Sequence, residues 1–353
     1  MTGIRRKSAI AVTAHEIVFL VIAAAVLWFS VRQPVRAYHT AASPAPGDIY
    51  EEFAFDGATR YLKTHVPPQY DGRRAVPLVL FLHGAGGDPE VASNPYFGWS
   101  EKADSEGFIV VYPGAKSDRS DDFGRWHYNV MYGKGVRGKT KDTAFLRTII
   151  ERMEGRYAID SKRIFLTGFS LGGMMAHKAG LELSDKLAAI APVSGLAGFA
   201  TAGSTGDPQP CKPERPMSVI IVHGRADTTV PFDGGPLRWT KEGERLVSAR
   251  LYAPYAARYW AAANGCSETP KTEKSAGGTV VRETWSGGVD GTEVSLCVVA
   301  NCGHAWPGGV DPYSKTQQTM EISATDVIWE FFKAHPRDPR SQRVEQETVE
   351  HPM

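Results

Sequence analysis

Six short apolar runs constrain what this chain can become more than anything else in it: residues 76–84 (VPLVLFLHG), 107–114 (GFIVVYPG), 163–168 (RIFLTG), 187–195 (LAAIAPVSG), 217–224 (MSVIIVHG) and 293–300 (EVSLCVVA). They are apolar almost throughout instead of alternating, the pattern of a strand buried on both faces. Residues 142–155, 171–183 and 248–264 repeat their apolar positions at helical spacing, and a last helix is predicted near 321–334. Strands and helices in alternation predict an α/β fold, a mostly parallel central sheet flanked by helices, occupying residues 59–334. No repeat of fixed period runs through the series.

Two stretches break the alternation. Residues 117–140 (SDRSDDFGRWHYNVMYGKGVRGKT) are polar and Gly-rich and include Trp126, His127, Tyr128 and Tyr132, while residues 198–216 are rich in Gly, Pro and Thr. Insertions after the C-terminal end of a parallel strand lie beside the place where such sheets bind ligands. Both are candidates to border a pocket; a solvated surface loop is the plainer alternative. Residues 335–353 form a charged, Pro-containing tail that is expected to be disordered.

At the other end, Arg5, Arg6 and Lys7 precede an apolar stretch whose densest part runs from Ile17 to Val31. Those fifteen residues, bounded by His15 and Glu16, fall short of the ~20 that a membrane-spanning helix needs. Residues 1–40 therefore read as a signal peptide or membrane anchor of an extracytoplasmic protein, and residues 41–58, which open with AASPAPG, as a linker. Forty Lys and Arg against 39 Asp and Glu argue against a nucleic-acid partner. Four cysteines, Cys211, Cys266, Cys297 and Cys302, suit an oxidising compartment but show no Cys-x-x-Cys spacing, so neither a zinc site nor dithiol redox chemistry is expected. Two bridges in any of three pairings, or one bridge with free thiols, all remain open.

The third run ends in Gly168-Phe169-Ser170-Leu171-Gly172, with a helical pattern directly behind it. This is the strand-turn-helix setting in which Gly-x-Ser-x-Gly presents a nucleophilic serine at a helix N-terminus. A serine hydroxyl needs a base to take its proton and a carboxylate to orient that base, in the chain order Ser, acid, His, each past a later strand. Asp227 follows the fifth run and His304 the sixth, and both satisfy the order. Asp233 reads better as a turn residue, His223 as a structural histidine at a strand end, and His127 as solvated or substrate-facing. The loop His83-Gly84-Ala85-Gly86-Gly87 after the first run resembles those that lend a backbone N–H to an oxyanion. Ala85 is the favoured donor there, with Gly86 close behind, and the N–H of Leu171 is the second. His83 is expected to shape that loop by hydrogen bonding.

Together, FLHGAGGD, GFIVVYPGA, RIFLTGFSLGGMMA, VHGRADTTVPFDGG and CGHAWPGG resemble the poly(3-hydroxybutyrate) depolymerase and feruloyl esterase-like branch of the α/β-hydrolases, over residues 61–334. The resemblance implies an exported carboxylic-ester hydrolase with no cofactor or metal, using Ser170, Asp227 and His304 on hydroxyalkanoate oligoesters or on feruloyl or acetyl esters. It also puts Trp306 near the substrate, and Trp126 in the insertion is the other candidate substrate contact. The chain departs from the branch in several places: Leu171 replaces a small or amide residue, Asn301-Cys302 replaces Gly-Gly, and Lys141-Asp142-Thr143 stands where Asp-Asp-Val is usual. The usual partner of Cys266 would fall near residues 285–288, where there is no cysteine. Two other readings share the scaffold. A serine peptidase would use the same triad, but the large domain that screens peptides in such enzymes has no counterpart in these 353 residues. A non-catalytic binding protein predicts a broken triad, which the sequence does not show.

Overall fold

The computed structural model describes residues 46–115, 124, 126, 141–197, 212–234, 252–309 and 316–338. Among these, ten strands form one sheet. The first two, β1 (Gly47–Phe55) and β2 (Ala58–Val66), are an antiparallel hairpin. Then come β3 (Val76–Leu82), β4 (Ile109–Pro113), β5 (Ile159–Phe169), β6 (Ala189–Val193), β7 (Ser218–Gly224), β8 (Lys271–Ser275), β9 (Val280–Trp285) and β10 (Val294–Val299). The sheet order is β1-β2-β4-β3-β5-β6-β7-β10-β9-β8. The six apolar runs of the sequence supply the six contiguous parallel strands β4, β3, β5, β6, β7 and β10. Antiparallel strands close both flanks.

Residues 47–55, expected to belong to a linker, are instead the edge strand β1, so the domain begins before residue 59. Its sequence, GDIYEEFAF, buries only part of its length. The opposite edge, β8, is KTEKS and wholly exposed; lysine on an edge strand discourages pairing with another sheet.

Alternate residues of the central strands feed two cores. Leu78, Leu80 and Leu82 point to a core shared with α3 (Asp142–Arg156), α4 (Leu171–Glu182) and α5 (Ala253–Asn264), while Val79 and Phe81 meet α2 (Trp99–Glu106) and α6 (Ala324–Ala334). A short helix, α1 (Pro89–Ala92), capped by Asp88 through a bond from the Val91 N–H, follows β3. Each fully buried Leu or Phe contributes roughly 1.5–3 kcal/mol, and Phe165 of β5 stacks on Phe332 of α6 at 4.5 Å.

The segment after β4 is clipped at both ends by one arginine. Arg60 of β2 donates from Nε and Nη2 to the Gly114 carbonyl at its start and pairs at 2.9 Å with Asp142 at its end, where α3 begins. The guanidinium also lies over the Phe145 ring at 3.7 Å. Both charges are buried, at 4% and 2% exposure, so the pairing offsets part of the cost of taking each out of water. Asp142 gains further from the helix N-terminus it occupies.

The tail also departs from expectation at its start. Residues 335–338 remain docked: the Arg337 N–H donates to Lys162 O at 2.8 Å, and its guanidinium reaches the carbonyls of Ser161 and Asp185. Residues 1–45 and 339–353 lie outside the described residues. No helix among those described is long and apolar enough to cross a membrane. Cys266, Cys297 and Cys302 carry free thiols, whose pKa values burial pushes up to about 11, 11 and 12; Cys211 is outside the described residues. Gly288 lies against the Cys266 sulfur, where an added Cβ would stand 2.8 Å from it.

Replacing Arg60 with Met removes a buried cationic partner of the Asp142 carboxylate and should cost about 3–5 kcal/mol, read as a lower urea midpoint and melting temperature. A change under about 1 kcal/mol would mean the pair contributes no more than a surface ion pair.

Candidate active site

β5 ends at Phe169, and the chain turns into α4 through Ser170, whose φ of 56° and ψ of −116° place a non-glycine residue in a strained conformation. Two backbone bonds hold it there: Ser170 N–H donates to Val193 O of β6 at 2.9 Å, and Met174 N–H donates to Ser170 O at 3.0 Å. The flanking glycines are required by close approach. A Cβ on Gly172 would lie 2.1 Å from Leu82 O, and one on Gly168 would lie 2.6 Å from the Gly172 backbone.

The loops carrying Asp227 and His304 are laced together. Arg225 N–H donates to Val299 O at 2.9 Å and Ala226 N–H to Cys302 O at 3.0 Å. Asp227 Oδ1 accepts from the N–H groups of Thr229 and Val230, both at 2.8 Å, which leaves Oδ2 for His304 Nδ1 at 2.8 Å. The other ring nitrogen, His304 Nε2, is 2.9 Å from Ser170 Oγ. Burial opposes the Asp227 charge, but hydrogen bonds from His223 and His304 more than offset it and hold the carboxyl well below the usual range. An ionised Asp227 accepts the Nδ1 proton, so the lone pair of His304 Nε2 faces the serine hydroxyl. Phe169 lies against the His304 ring at 4.9 Å. Three residues far apart in sequence are thus aligned for proton transfer out of Ser170.

His223 donates from Nε2 to Val230 O at 2.8 Å and lies 3.5 Å from Asp227 Oδ2, so it supports the acid's turn. Asp233 is exposed and pairs at 3.7 Å with Arg225, apart from the array. His127 is outside the described residues.

Around the serine, the N–H groups of Ala85 and Leu171 have no acceptor among the described residues, whereas Gly86 N–H is bonded to Gly124 O at 3.1 Å. Gly84 packs against Ser170, a Cβ there coming within 3.4 Å of the serine Cβ. His83 is fully buried: Ala115 N–H donates to its Nε2 at 3.0 Å, and its Nδ1–H donates to Gly84 O at 2.7 Å. Burial pushes its pKa down to about 4, so the ring is neutral and acts as a spacer in the loop.

Neither tryptophan is open to solvent. Trp126, 2% exposed, donates from Nε1 to His83 O at 3.0 Å. Trp306, 1% exposed, donates to Thr325 Oγ1 at 3.0 Å and packs edge-on against Phe81 and Phe97. It lies behind Phe169, beside a cleft of about 310 Å³ bordered by Lys102 and Asp326 that does not include Ser170. Both indoles are packed into the frame in this structure. Among the described residues, no group of three His, Cys, Asp or Glu side chains is arranged to hold a metal ion.

Residues 69–238 match the phospholipase/carboxylesterase family model. Feruloyl esterase B of Piromyces equi is 34% identical over 243 residues, 68% of this chain and 41% of that protein. The chain is an α/β-hydrolase and is similar to the feruloyl esterase-like branch. This hydrolase is also 38% identical over 157 residues to the bifunctional acetylxylan esterase/xylanase XynS20E of Neocallimastix patriciarum, 44% of its own length and 20% of the relative's. It therefore spans less than half the length of these two curated relatives. The fold of the acetyl xylan esterase from Aspergillus awamori superposes with a TM-score of 0.52 at 18% identity, over 80% of this hydrolase and 98% of that chain.

The buried imidazoles give the α/β-hydrolase an acid liability. His177 of α4 accepts from Trp260 Nε1 at 3.0 Å, and burial pushes its pKa down to about 3. Folded-state values below the ordinary imidazole value mean that the unfolded chain takes up protons first as pH falls. Stability is then lost from about pH 6.5 downward until the folded values are reached, at roughly 1.4 kcal/mol per pH unit for each group. Urea titrations between about pH 7 and pH 4 should show this slope. His177→Gln, which keeps an acceptor for Trp260, should remove that residue's share, and an unchanged slope would show that His177 is not held neutral.

Proposed function

We propose that this hydrolase is an extracytoplasmic serine carboxylesterase. The observation that carries the reading is the continuous Ser170–His304–Asp227 array, next to which the N–H groups of Leu171 and of Ala85, neighbour of the Gly84 that packs on Ser170, have no acceptor among the described residues. Ser170 Oγ attacks the ester carbonyl while His304 Nε2 takes its proton. The imidazolium that forms is held by ionised Asp227, and the oxyanion is met by the two N–H groups, each worth about 3 kcal/mol when well placed. His304 then gives the proton to the leaving alcohol, an acyl-Ser170 ester remains, and water activated by the same imidazole releases the acid.

The relatives' names, feruloyl esterase and acetylxylan esterase, favour a feruloyl or acetyl ester on a polysaccharide fragment. Hydroxyalkanoate oligoesters, suggested by the motif resemblance, make the second substrate class. The basic flank and apolar stretch of residues 5–31 support export or anchoring outside the cytoplasm.

The test is turnover of p-nitrophenyl acetate, methyl ferulate, acetylated xylo-oligosaccharides and hydroxybutyrate oligomers by the wild type and Ser170→Ala. A loss of at least about a thousandfold in kcat for the variant is expected, and the best substrate identifies the ester class. A folded wild type inert on all of them, or a fully active variant, would overturn the reading.

A further inference from the structure

The loop after β3 offers two neighbouring N–H groups for an oxyanion, and only one is free. Gly86 N–H is consumed by Gly124 O at 3.1 Å, while Ala85 N–H has no acceptor among the described residues. The same short segment grips the loop a second time, through the 3.0 Å bond from Trp126 Nε1 to His83 O, and the Trp126 ring lies 5.1 Å from the His83 ring. A third tie comes from Ala115 N–H to His83 Nε2. Gly124 fits closely: an added Cβ would stand 2.6 Å from Gly87 O and 3.2 Å from His83 Cε1. Gly86 itself has φ 78°, a left-handed conformation that leaves its N–H turned toward Gly124.

We propose that Gly124 and Trp126 are positioning residues that select Ala85, and not Gly86, as the loop's oxyanion donor. They act through Gly86 and His83 and do not touch the ester. The proposal rests on the esterase reading above. It explains why Trp126 is buried beside a site it was expected to line: its N–H is spent on the backbone of the loop whose alignment the oxyanion needs. Misplacing one such donor costs up to about a hundredfold or more in rate, and that cost falls on the transition state and not on substrate binding.

Two substitutions separate this role from substrate contact. Trp126→Phe keeps an aromatic ring on His83 but removes the donor, and replacing Trp126 by benzothienylalanine removes the N–H with the shape retained, so one of the pair reports even if the other folds poorly. On the preferred ester, kcat should fall by about 10- to 100-fold with KM within about twofold. The inhibition constant of a trifluoromethyl ketone, which adds to Ser170 as a tetrahedral oxyanion, should rise by the same factor, while that of the product acid stays fixed. A rise confined to KM and product inhibition would overturn the proposal in favour of substrate contact, and unchanged kinetics would also overturn it. Amide hydrogen exchange tests the geometry without any ester. Gly86 should exchange at least about tenfold more slowly than Ala85 in the wild type, and the benzothienylalanine protein should lose that protection. Equal exchange at the two amides in the wild type would refute the selection. If Ser170→Ala retains full activity while the exchange pattern holds, the esterase reading has failed and the loop geometry has not.

Discussion

The site depends on how closely three pieces of backbone pass one another behind Ser170. Gly172 at the start of α4 lies against the last carbonyl of β3, and Gly168 at the end of β5 lies against Gly172. That contact leaves no room for a side chain on either residue, and it seats a helix N-terminus directly on the ends of two parallel strands. The strained turn at Ser170 follows from it, since the chain must reverse from strand to helix in one residue. The bond to Val193 O fixes the turn to β6, and the loops after β7 and β10 then need only reach the same edge. Their mutual bonds through Cys302 O bring Asp227 and His304 into line.

The electrostatics of this edge are arranged by burial and pairing together. Asp227 stays charged because two backbone amides and two imidazoles surround it. His83, in the loop after β3, stays neutral because it is buried among hydrogen-bonding neutral groups. His304, slightly exposed, bridges the Asp227 carboxylate and the Ser170 hydroxyl. Three histidines on one edge thus have separate duties, set by what each ring nitrogen meets.

Much of this was legible in the sequence, and the reason is burial on both faces. The six parallel strands read as unbroken apolar runs because each is covered by helices above and below, and Ser170, Asp227 and His304, which the structure brings within hydrogen-bonding distance, could be singled out because each follows one of those runs. The antiparallel flanks were not legible. β1 carries two glutamates and buries little, and β8 has no apolar residue at all, so neither stands out from a loop. The bond that occupies the Gly86 N–H was hidden for another reason: its acceptor is a carbonyl at Gly124, which no local pattern links to the loop. The same holds for Trp126 and Trp306, since composition reveals an aromatic ring but not which way its N–H points.

The two described ends of the domain leave from the same side. Gly47 opens β1 opposite Val66, and neighbouring His65 pairs near the start of β4, while Arg337 is bonded to residues at the beginnings of β5 and β6. Ser170 stands at the other extremity of β5. The edge of the sheet that carries Ser170 is therefore the one from which neither described end departs.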